Sequence, residues 1–265
     1  MKNGDGMGNL KKTIIECGQQ VMASSRTITP FRDPIFAFAS AADPLWDLVK
    51  AEITGATHKS PQEWLVGAQT VAVFFLPFDK PVIDTIRKQR NSNIFNVPEW
   101  AVAYREGNWL VGDIGKAIVR GLEESGVHAF SPPPTSTYDS QKLCSQWSHK
   151  SAAYIAGLGT FGINHLLITK AGCAGRLGSI ITTGYIPPTK RPVGEYCLYK
   201  RDSSCGFCTI KCPTGALTVG GYDASVCSTY CELRIGLGEP WFDAGCSMCS
   251  RWTCAYFESE EDTSV

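Results

Sequence analysis

The spacing of the cysteines in the last third of the chain constrains the fold more than any other feature of the sequence. A run of the form Cys-x2-Cys-x3-Cys-Pro begins at Cys205, and after 33 intervening residues a second run, Cys-x2-Cys-x4-Cys, begins at Cys246. Thiolates on a short, turn-rich loop converge on one iron–sulfur cluster, while the last cysteine of such a run serves the neighbouring cluster. The two runs therefore predict two clusters, each completed by a cysteine from the other run.

Paired cysteines have two other common uses. A disulfide framework would need an oxidising compartment, but the opening MKNGDGMGNLKK contains no apolar signal segment, so we expect a protein of the reducing cytoplasm. A zinc site is the stronger alternative, because two Cys-x2-Cys pairs separated by 37 residues can form an all-cysteine tetrahedral site. The third cysteine at x3 and the continuation Cys212-Pro213-Thr214-Gly215 favour clusters over zinc.

Composition limits the classes of partner. The 265 residues include 25 basic and 25 acidic side chains, and this balance does not favour broad electrostatic binding of nucleic acid. The sequence contains no apolar run long enough to span a membrane, so we expect no membrane partner. Basic residues near the cysteines could contact phosphates, but a solvated face that also offsets the negative charge of clusters is the favoured explanation.

Helices that alternate with strands, followed by a compact cysteine-rich module, predict an α+β fold. We expect an N-terminal helix in residues 1–29, a catalytic or cofactor-binding domain of α/β type in residues 30–190, a ferredoxin-like domain with two [4Fe-4S] clusters in residues 191–257, and an acidic tail in residues 258–265.

The apolar pattern also predicts individual elements. The proline-rich segment 131–146 is expected to be a loop long enough to carry function. The other predictions are helices at 9–24 and 148–158, a buried strand at 70–76, two helices between Pro98 and Gly126 broken near Gly107, and paired strands at 163–169 and 177–183.

One glycine pattern resembles a nucleotide-binding fingerprint by letter only. Gly157-x-Gly159-x-x-Gly162 follows a helix-like stretch rather than a strand, and no acidic residue occurs at the expected distance after it. We therefore predict a glycine-rich helix end, in which Gly157 or Gly159 adopts the left-handed conformation. The missing side chains would allow a neighbour or a ligand to approach closely.

The segment HKSAAYIAGLGTFGINHLLIT at 149–169, followed by RLGSIITT at 176–183, resembles the central segment of the epoxyqueuosine reductase family. The cysteine module is similar to that of the same family, and the resemblance covers about residues 145–255. It implies a catalytic domain related to nitroreductases and to the corrinoid-binding part of reductive dehalogenases. A ferredoxin domain with two [4Fe-4S] clusters would follow.

The resemblance also implies a set of cluster ligands. The family's first run begins one Cys-x2 step earlier than here, at the position of Asp202, so Cys197 is the candidate for the missing ligand and Cys231 is the alternative. The implied ligands are Cys205, Cys208 and Cys254 with Cys197 for one cluster, and Cys212, Cys227, Cys246 and Cys249 for the other.

The chain departs from the family where a proton donor is expected. The positions that match the family's aspartate and the acid–arginine pair after it read Lys142, Ser148 and His149, which leaves Asp139, three residues away, as the candidate catalytic acid. The helical-repeat extension of the tRNA-modifying members is also missing from this sequence. We therefore expect a shorter relative for which tRNA is not the favoured substrate.

The resemblance implies a reductive site in residues 30–190 that holds cobalamin or, as the alternative, FMN. Electrons would come from a donor such as ferredoxin or flavodoxin and pass through the two clusters. The alternative function is a non-enzymatic electron carrier or reductive activator, but a carrier needs only the cluster module, so the large upstream region favours a reductase. The candidate cofactor-binding residues are Tyr154, Gly157, Gly159, Gly162, Asn164 and Arg176.

Overall fold

The helices and strands begin and end where the sequence supplies start and stop signals. Pro98 occupies the first turn of a 27-residue helix, where its fixed φ is favourable, and the apolar strand that starts at Thr70 ends at a proline. The computed structural model describes residues 4–53, 57–89, 91, 96–133, 138–139, 143–239 and 242–258. The elements are α1 (Gly4–Ser24), β1 (Ile35–Ser40), α2 (Leu45–Leu48) with a π-helical turn (Val49–Ile53), α3 (Pro61–Trp64), β2 (Thr70–Pro77), α4 (Lys80–Lys88), α5 (Pro98–Glu124), β3 (Ala129–Phe130), β4 (Tyr138–Asp139), β5 (Cys144–Ser145), α6 (His149–Ile155), β6 (Gly159–Phe161), β7 (Leu167–Thr169), β8 (Gly175–Thr182), α7 (Leu198–Asp202), α8 (Phe207–Ile210), β9 (Leu217–Thr218), β10 (Gly221–Tyr222), α9 (Ala224–Gly236) and 3-10 turns at Phe242–Ala244, Met248–Ser250 and Thr253–Ala255.

The central sheet has the strand order β1-β2-β8-β3, and its neighbouring strands pair antiparallel. Every residue of β2 is buried because both faces of this strand are covered. Ala72 and Phe74 face α1 and α5, whereas Val71 and Val73 face the layer that contains α6. The mixed fold with an antiparallel sheet agrees with the predicted α+β class.

Helix α5 runs unbroken past Gly107, so the predicted break at this residue was wrong. The glycine is explained by packing from outside the helix. A Cβ at this position would lie 2.7 Å from Cγ of Arg176 and 3.3 Å from the Phe31 ring. The missing side chain therefore lets the arm of Arg176 lie across the helix.

The predicted pairing of 163–169 with 177–183 was also wrong. β7 pairs with β6, and β8 pairs with β2 and β3. The chain reverses at residues 162–166, where His165 has a φ of 55° and its amide donates to the Gly162 carbonyl. This tight turn directs β7 back along the glycine-rich segment.

The glycine-rich segment 157–162 ends α6 and forms the first strand of this hairpin. Gly157 adopts a φ of 78°, which confirms the predicted left-handed helix end. Gly159 lies instead in β6, where an added Cβ would overlap the carbonyl oxygen of Ile168. Both glycines therefore permit close backbone packing.

The cysteine-rich part is joined to the sheet by its last described residues. The amide of Cys173 donates to the Cys254 carbonyl at 2.8 Å, and that of Ala174 donates to the Ala255 carbonyl at 3.1 Å. Arg32 on the N-terminal side donates to the Phe257 carbonyl at 3.0 Å. These bonds place Cys254 next to the start of β8.

Two predictions fall wholly or partly outside this description. The acidic tail, apart from Glu258, lies outside the described residues. In the loop 131–146, β4 and β5 pair, and residues 134–137 and 140–142 lie outside the description. Within the described part of the chain, no helix has the length and apolar character needed to cross a bilayer.

Candidate functional site

A first cavity, here called cavity A, encloses about 340 Å³ and is lined by four cysteines. Its apolar walls include Ile163, Tyr199 and Trp252. Helices α7 and α8 bring three of the cysteines to the cavity, and the 3-10 turn at Thr253–Ala255 brings the fourth. The four cysteines are Cys197, Cys205, Cys208 and Cys254, the set predicted for one cluster.

A second cavity, cavity B, encloses about 700 Å³ next to cavity A, with which it shares Asn164 and Cys208. Helix α9 contributes Cys227 and Cys231, which lie one turn apart. Apart from the shared Cys208, the cysteines that line cavity B are Cys231 and the set predicted for the other cluster, Cys212, Cys227, Cys246 and Cys249. The structure thus places Cys197 at cavity A and Cys231 at cavity B.

Burial favours the neutral thiol at three of these cysteines. It raises the pKa of Cys208 and of Cys249 to about 12, and that of Cys246 to about 11. Cys227 differs, because a hydrogen bond with the Cys231 thiol lowers its pKa to about 6. Ligation by a metal requires thiolates, so loading of these cavities would release protons.

The cysteines surround each cavity rather than meeting at one point. Among the described residues, no group of three or more His, Cys, Asp or Glu side chains could hold a single metal ion. A [4Fe-4S] cluster takes its thiolates at separate corners of a cube, so it needs ligands spread around a space. Cavity A, lined by four cysteines, and cavity B, lined by six, have thiols spread in this way.

Asn164 lies between the two cavities and lines both. Its Nδ2 donates to the Cys249 carbonyl at 3.0 Å and lies 3.8 Å from Sγ of Cys254. Its Oδ1 accepts from the Leu166 amide, and a Cβ on Gly162 would lie 2.5 Å from this oxygen. The tight turn of the β6–β7 hairpin therefore delivers one amide group to both cysteine sites.

A third and larger space, cavity C, lies between α6, the start of β8 and the hairpin turn. It measures about 1580 Å³ when the open solvent at its mouth is included. Cys173 forms part of its wall, and Sγ of Cys173 is 3.9 Å from Sγ of Cys254. Cavity C shares four residues with cavity B, namely Lys150, His165, Leu166 and Tyr222.

Arg176 is held firmly in the wall of cavity C. Its guanidinium lies over the Tyr104 ring, 4.0 Å from the ring centroid, and its Nε donates to Oδ1 of Asn108 at 2.8 Å. Helix α5 supplies both partners and also Gly107, over which the arm of Arg176 passes. The arrangement fixes a positive charge at the cavity.

His149, at the start of α6, lines the same cavity. Its Nδ1 lies 2.9 Å from Oγ of Ser179. Burial and then the charge of Arg176 lower the pKa of His149 to about 4, although the Pro133 carbonyl acts in the opposite sense. The imidazole is therefore neutral near pH 7 and can exchange hydrogen bonds without adding charge.

The other candidate residues lie in less direct positions. Asp139 is the cross-strand partner of Cys144, which lines cavity C, but Asp139 itself is not among the described residues of the lining. Lys142 lies outside the described residues. Tyr154 is partly exposed and packs on Phe161 with ring centroids 5.7 Å apart.

The three glycines of the segment face atoms of the protein itself. An added Cβ at Gly157 would lie 2.9 Å from the Lys190 carbonyl, and those at Gly159 and Gly162 would meet the adjacent strand and turn. Packing alone explains why these residues are glycines. Their contact with a cofactor stays a prediction.

Sequence reasoning missed two residues that form the boundary between cavities B and C. Lys150 donates to the His165 carbonyl at 3.3 Å, and Tyr222 packs on the His165 ring with centroids 5.1 Å apart. Lys150 could have been predicted as a site residue, because it follows His149 at the start of α6. Tyr222 has no such signal in the sequence, since it reaches the site only through its contact with His165, which is distant along the chain.

We expect the protein to lose stability as the pH falls from about 6.5 to about 4. The pKa of His58, like that of His149, is lowered from 6.5 to about 4, mainly by burial. His58 stacks on Trp147 and accepts from the Ser148 amide through Nε2, a bond that protonation would abolish. The unfolded chain binds more protons in this interval, so each histidine lowers the free energy of unfolding by up to about 3 kcal/mol.

Urea unfolding of His58→Gln at a series of pH values measures this contribution. In the variant, the free energy of unfolding should fall by only about half as much between pH 6.5 and pH 4 as it does in the wild-type protein. His128→Gln is the control, because that side chain is exposed and its replacement should preserve the wild-type profile. A wild-type stability that is flat over this interval would contradict the assignment.

No protein-family model and no curated protein matches this chain. Solved structures do match it. An epoxyqueuosine reductase, crystallised as the selenomethionine form, is 18% identical with a TM-score of 0.59, and the match covers 92% of this chain and 64% of that one. The epoxyqueuosine reductase of Streptococcus thermophilus is 17% identical with a TM-score of 0.57, covering 96% of this chain and 66% of that one.

A reductive dehalogenase described as carrying out B12-dependent dehalogenation is 15% identical with a TM-score of 0.57, and the match covers 87% of this chain and 31% of that one. This chain therefore has a fold that two groups of proteins share. More particularly, it is the fold of epoxyqueuosine reductases and reductive dehalogenases, which confirms the resemblance seen in the sequence. The chain spans less than two thirds of the length of the epoxyqueuosine reductases that it matches.

Proposed function

We propose that the protein is an iron–sulfur reductase in which electrons pass through two [4Fe-4S] clusters to a reductive site in cavity C. One observation carries the proposal: the eight cysteines assigned from the sequence all line two adjacent cavities, which share Cys208. Cavity B in turn shares part of its wall with the large cavity. The arrangement suits one-electron transfer from a surface to a buried pocket.

The chain would contribute ligation, shielding and charge. Clusters supply one-electron chemistry when bound, and the surrounding protein sets their potentials through hydrogen bonds, burial and nearby charge. Trp252 and Leu217 pack against cysteines of both sets and exclude water. Arg251 is fully buried beside them and donates to Oγ of Ser247 at 2.6 Å, so its positive charge opposes the negative charge of ligated thiolates.

We propose that cavity C binds cobalamin, with FMN as the alternative, because it is an open cavity lined by polar and apolar side chains beside the cysteine sites. Such a cofactor supplies the reductive chemistry when it is bound. Arg176, Lys150 and Ser148 line the cavity and would hold polar groups of the cofactor or the substrate. His149 would donate or accept a hydrogen bond as a neutral imidazole, and Asp139 is the candidate proton donor on the adjoining β4–β5 ribbon.

A non-enzymatic electron carrier is the second candidate. Cavity C argues for the reductase, because a carrier that delivers electrons to another protein needs no large pocket beside its cluster site. One epoxyqueuosine reductase has been crystallised with a tRNA stem loop. This chain covers 56% of that protein. We keep tRNA as a less favoured substrate, because Lys142, Ser148 and His149 stand where the resemblance leads us to expect the aspartate and the acid–arginine pair.

Anaerobic reconstitution with iron and sulfide tests the proposal. We expect about eight irons per chain and, after reduction with dithionite, the electron paramagnetic resonance (EPR) spectrum of two interacting [4Fe-4S] clusters. Titration with cob(II)alamin should change its EPR signal if cavity C binds the corrinoid. Zinc without iron would overturn the reductase and the carrier alike, whereas two clusters without binding of cobalamin or FMN would favour the carrier.

Asn164→Leu should lower the reduction potential of the cluster at cavity A. The substitution keeps the size of the side chain but replaces the amide with an apolar group, which removes the N–H group that lies 3.8 Å from Sγ of Cys254. A hydrogen bond worth about 1 kcal/mol corresponds to about 40 mV in a one-electron step. A redox titration followed by EPR measures the shift.

The cluster at cavity B serves as an internal reference in that titration. At cavity B, Asn164 donates to the carbonyl of Cys249 and not to a thiol, so the reduction potential of the cluster there should change less. Equal shifts of both clusters would indicate a general structural disturbance instead.

A further inference from the structure

A surface cleft, here called the outer cleft, opens beside cavity A and measures about 1020 Å³. It shares Trp252 with cavity A and no described lining residue with cavity C. The four spaces therefore follow one another, because each shares lining residues with the next. The outer cleft and cavity A share Trp252, and cavities A and B share Asn164 and Cys208. Cavities B and C share His165 and its neighbours.

The outer cleft is positively charged. Three of its lining residues are cationic, and none of its described lining residues is acidic. Arg87 donates to the Trp252 carbonyl at 3.2 Å, so its charge is fixed in the wall, while Lys211 is exposed. Lys88 on α4 and Lys200 on α7 are exposed on the neighbouring helices. Because the net charge of the chain is zero, this cluster of positive charges is a local feature of the surface.

An aromatic pair connects the surface of the cleft to cavity A. Phe207 is 48% exposed and stacks on Trp252, with ring centroids 5.4 Å apart and an angle of 20° between the planes. Trp252 is only 7% exposed and forms part of the cavity wall. Ile210, one turn beyond Phe207, is 75% exposed. An apolar contact flanked by cations is typical of a protein docking surface.

We propose that the outer cleft, with Phe207 and Lys211, is the docking surface for a small acidic electron-donor protein. The proposal rests on the proposed function, because it assumes a cluster in cavity A. One electron leaves the reduced donor, which is oxidised by one unit, and reduces the cluster in cavity A by one unit, with no bond made or broken. Because electron transfer weakens steeply with distance, the donor must dock where a single side chain separates it from that cavity.

A phosphate backbone would also be attracted by these cations. An RNA substrate would have to reach cavity C, however, and the outer cleft adjoins cavity A. The position of the cleft therefore favours an electron donor over a nucleic acid.

Stopped-flow reduction of the reconstituted protein by reduced flavodoxin, a soluble acidic flavoprotein, tests the proposal. Lys211→Glu should lower the second-order rate constant about tenfold at low ionic strength, and high salt should reduce the difference. Lys88→Glu, further from the cysteines, provides a second variant in case the first alters the neighbouring ligand. Lys116→Glu, an exposed lysine on α5, is the matched control and should keep the wild-type rate.

Dithionite separates this proposal from the proposed function, because a small reductant needs no docking surface. The surface is supported if the Lys211 and Lys88 variants are reduced normally by dithionite but slowly by flavodoxin. It is overturned if both variants keep the control's rate constant and salt dependence, or if they weaken binding of a tRNA stem loop without slowing flavodoxin. If dithionite produces no cluster signal even in the wild-type protein, the proposed function fails first.

Discussion

Replacing Cys249 by serine should remove the cluster at cavity B and halve the iron content from about eight to about four per chain. Cys249 lines cavity B together with the three other ligands assigned to that cluster. A serine cannot supply the thiolate, and a cluster with three protein ligands is readily lost. Because cavity B adjoins cavity C, reduction of any acceptor in cavity C should fall to background while the cluster in cavity A still accepts electrons.

Cys205→Ser provides the reciprocal experiment at cavity A, since this cysteine lines only that cysteine cavity. It should also leave about four irons, but with the EPR signal and potential of the other cluster. Cys231→Ser is the matched control, because Cys231 shares α9 with Cys227 but is not assigned as a ligand. If Cys231→Ser loses a cluster and Cys227→Ser keeps both, the assignment at cavity B is wrong.

Replacing Arg176 by glutamine should weaken binding in cavity C by about tenfold or more, because a charge-assisted hydrogen bond contributes about 1.5–3 kcal/mol. The guanidinium is fixed by Tyr104 and Asn108 and lines the cavity. The same substitution should raise the pKa of His149 from about 4 towards 6.5, because it removes the charge that opposes protonation. The rise should be incomplete, since burial is the larger cause.

Two measurements on Arg176→Gln distinguish a role in the site from a loss of structure. A cobalamin titration reports binding, and an NMR titration of the imidazole reports the pKa of His149. Gly107→Ala should weaken binding through a different route, since its methyl group would displace Cγ of Arg176. Arg120→Gln, on the exposed side of α5, is the control. Unchanged binding in both cavity variants would remove Arg176 from the site.

The run that begins at Cys205 could be recognised in the sequence because its spacing is a local property, whereas the division of the cysteines into two ligand sets stays a prediction. The x2 and x3 steps place Cys205, Cys208 and Cys212 on and around one short helix, and the structure directs the last of them to the other cavity. The helix end at Gly157 is local in the same sense. These features depend on neighbours within a few residues.

The predictions that failed depend on contacts between distant segments. Gly107 looks like a helix breaker in isolation, and only the arm of Arg176, which arrives from β8, explains it. The strand-like run after Gly162 has a suitable composition for pairing with β8. The left-handed φ of 55° at His165 instead reverses the chain, so that β7 pairs with β6. Tyr222 reaches the edge of cavity C for reasons that no single segment of sequence contains.

The backbone bonds between residues 173–174 and 254–255 have a consequence for biosynthesis. Cys254 is the last of the eight assigned cysteines in chain order, and both cavities also use residues after position 245. The N-terminal sheet is complete once β8 has been made, so it can fold while the rest of the chain is still being translated. If the two cavities hold clusters as proposed, the cluster at cavity A can be completed only after Cys254 has been translated, when the sheet can already have folded.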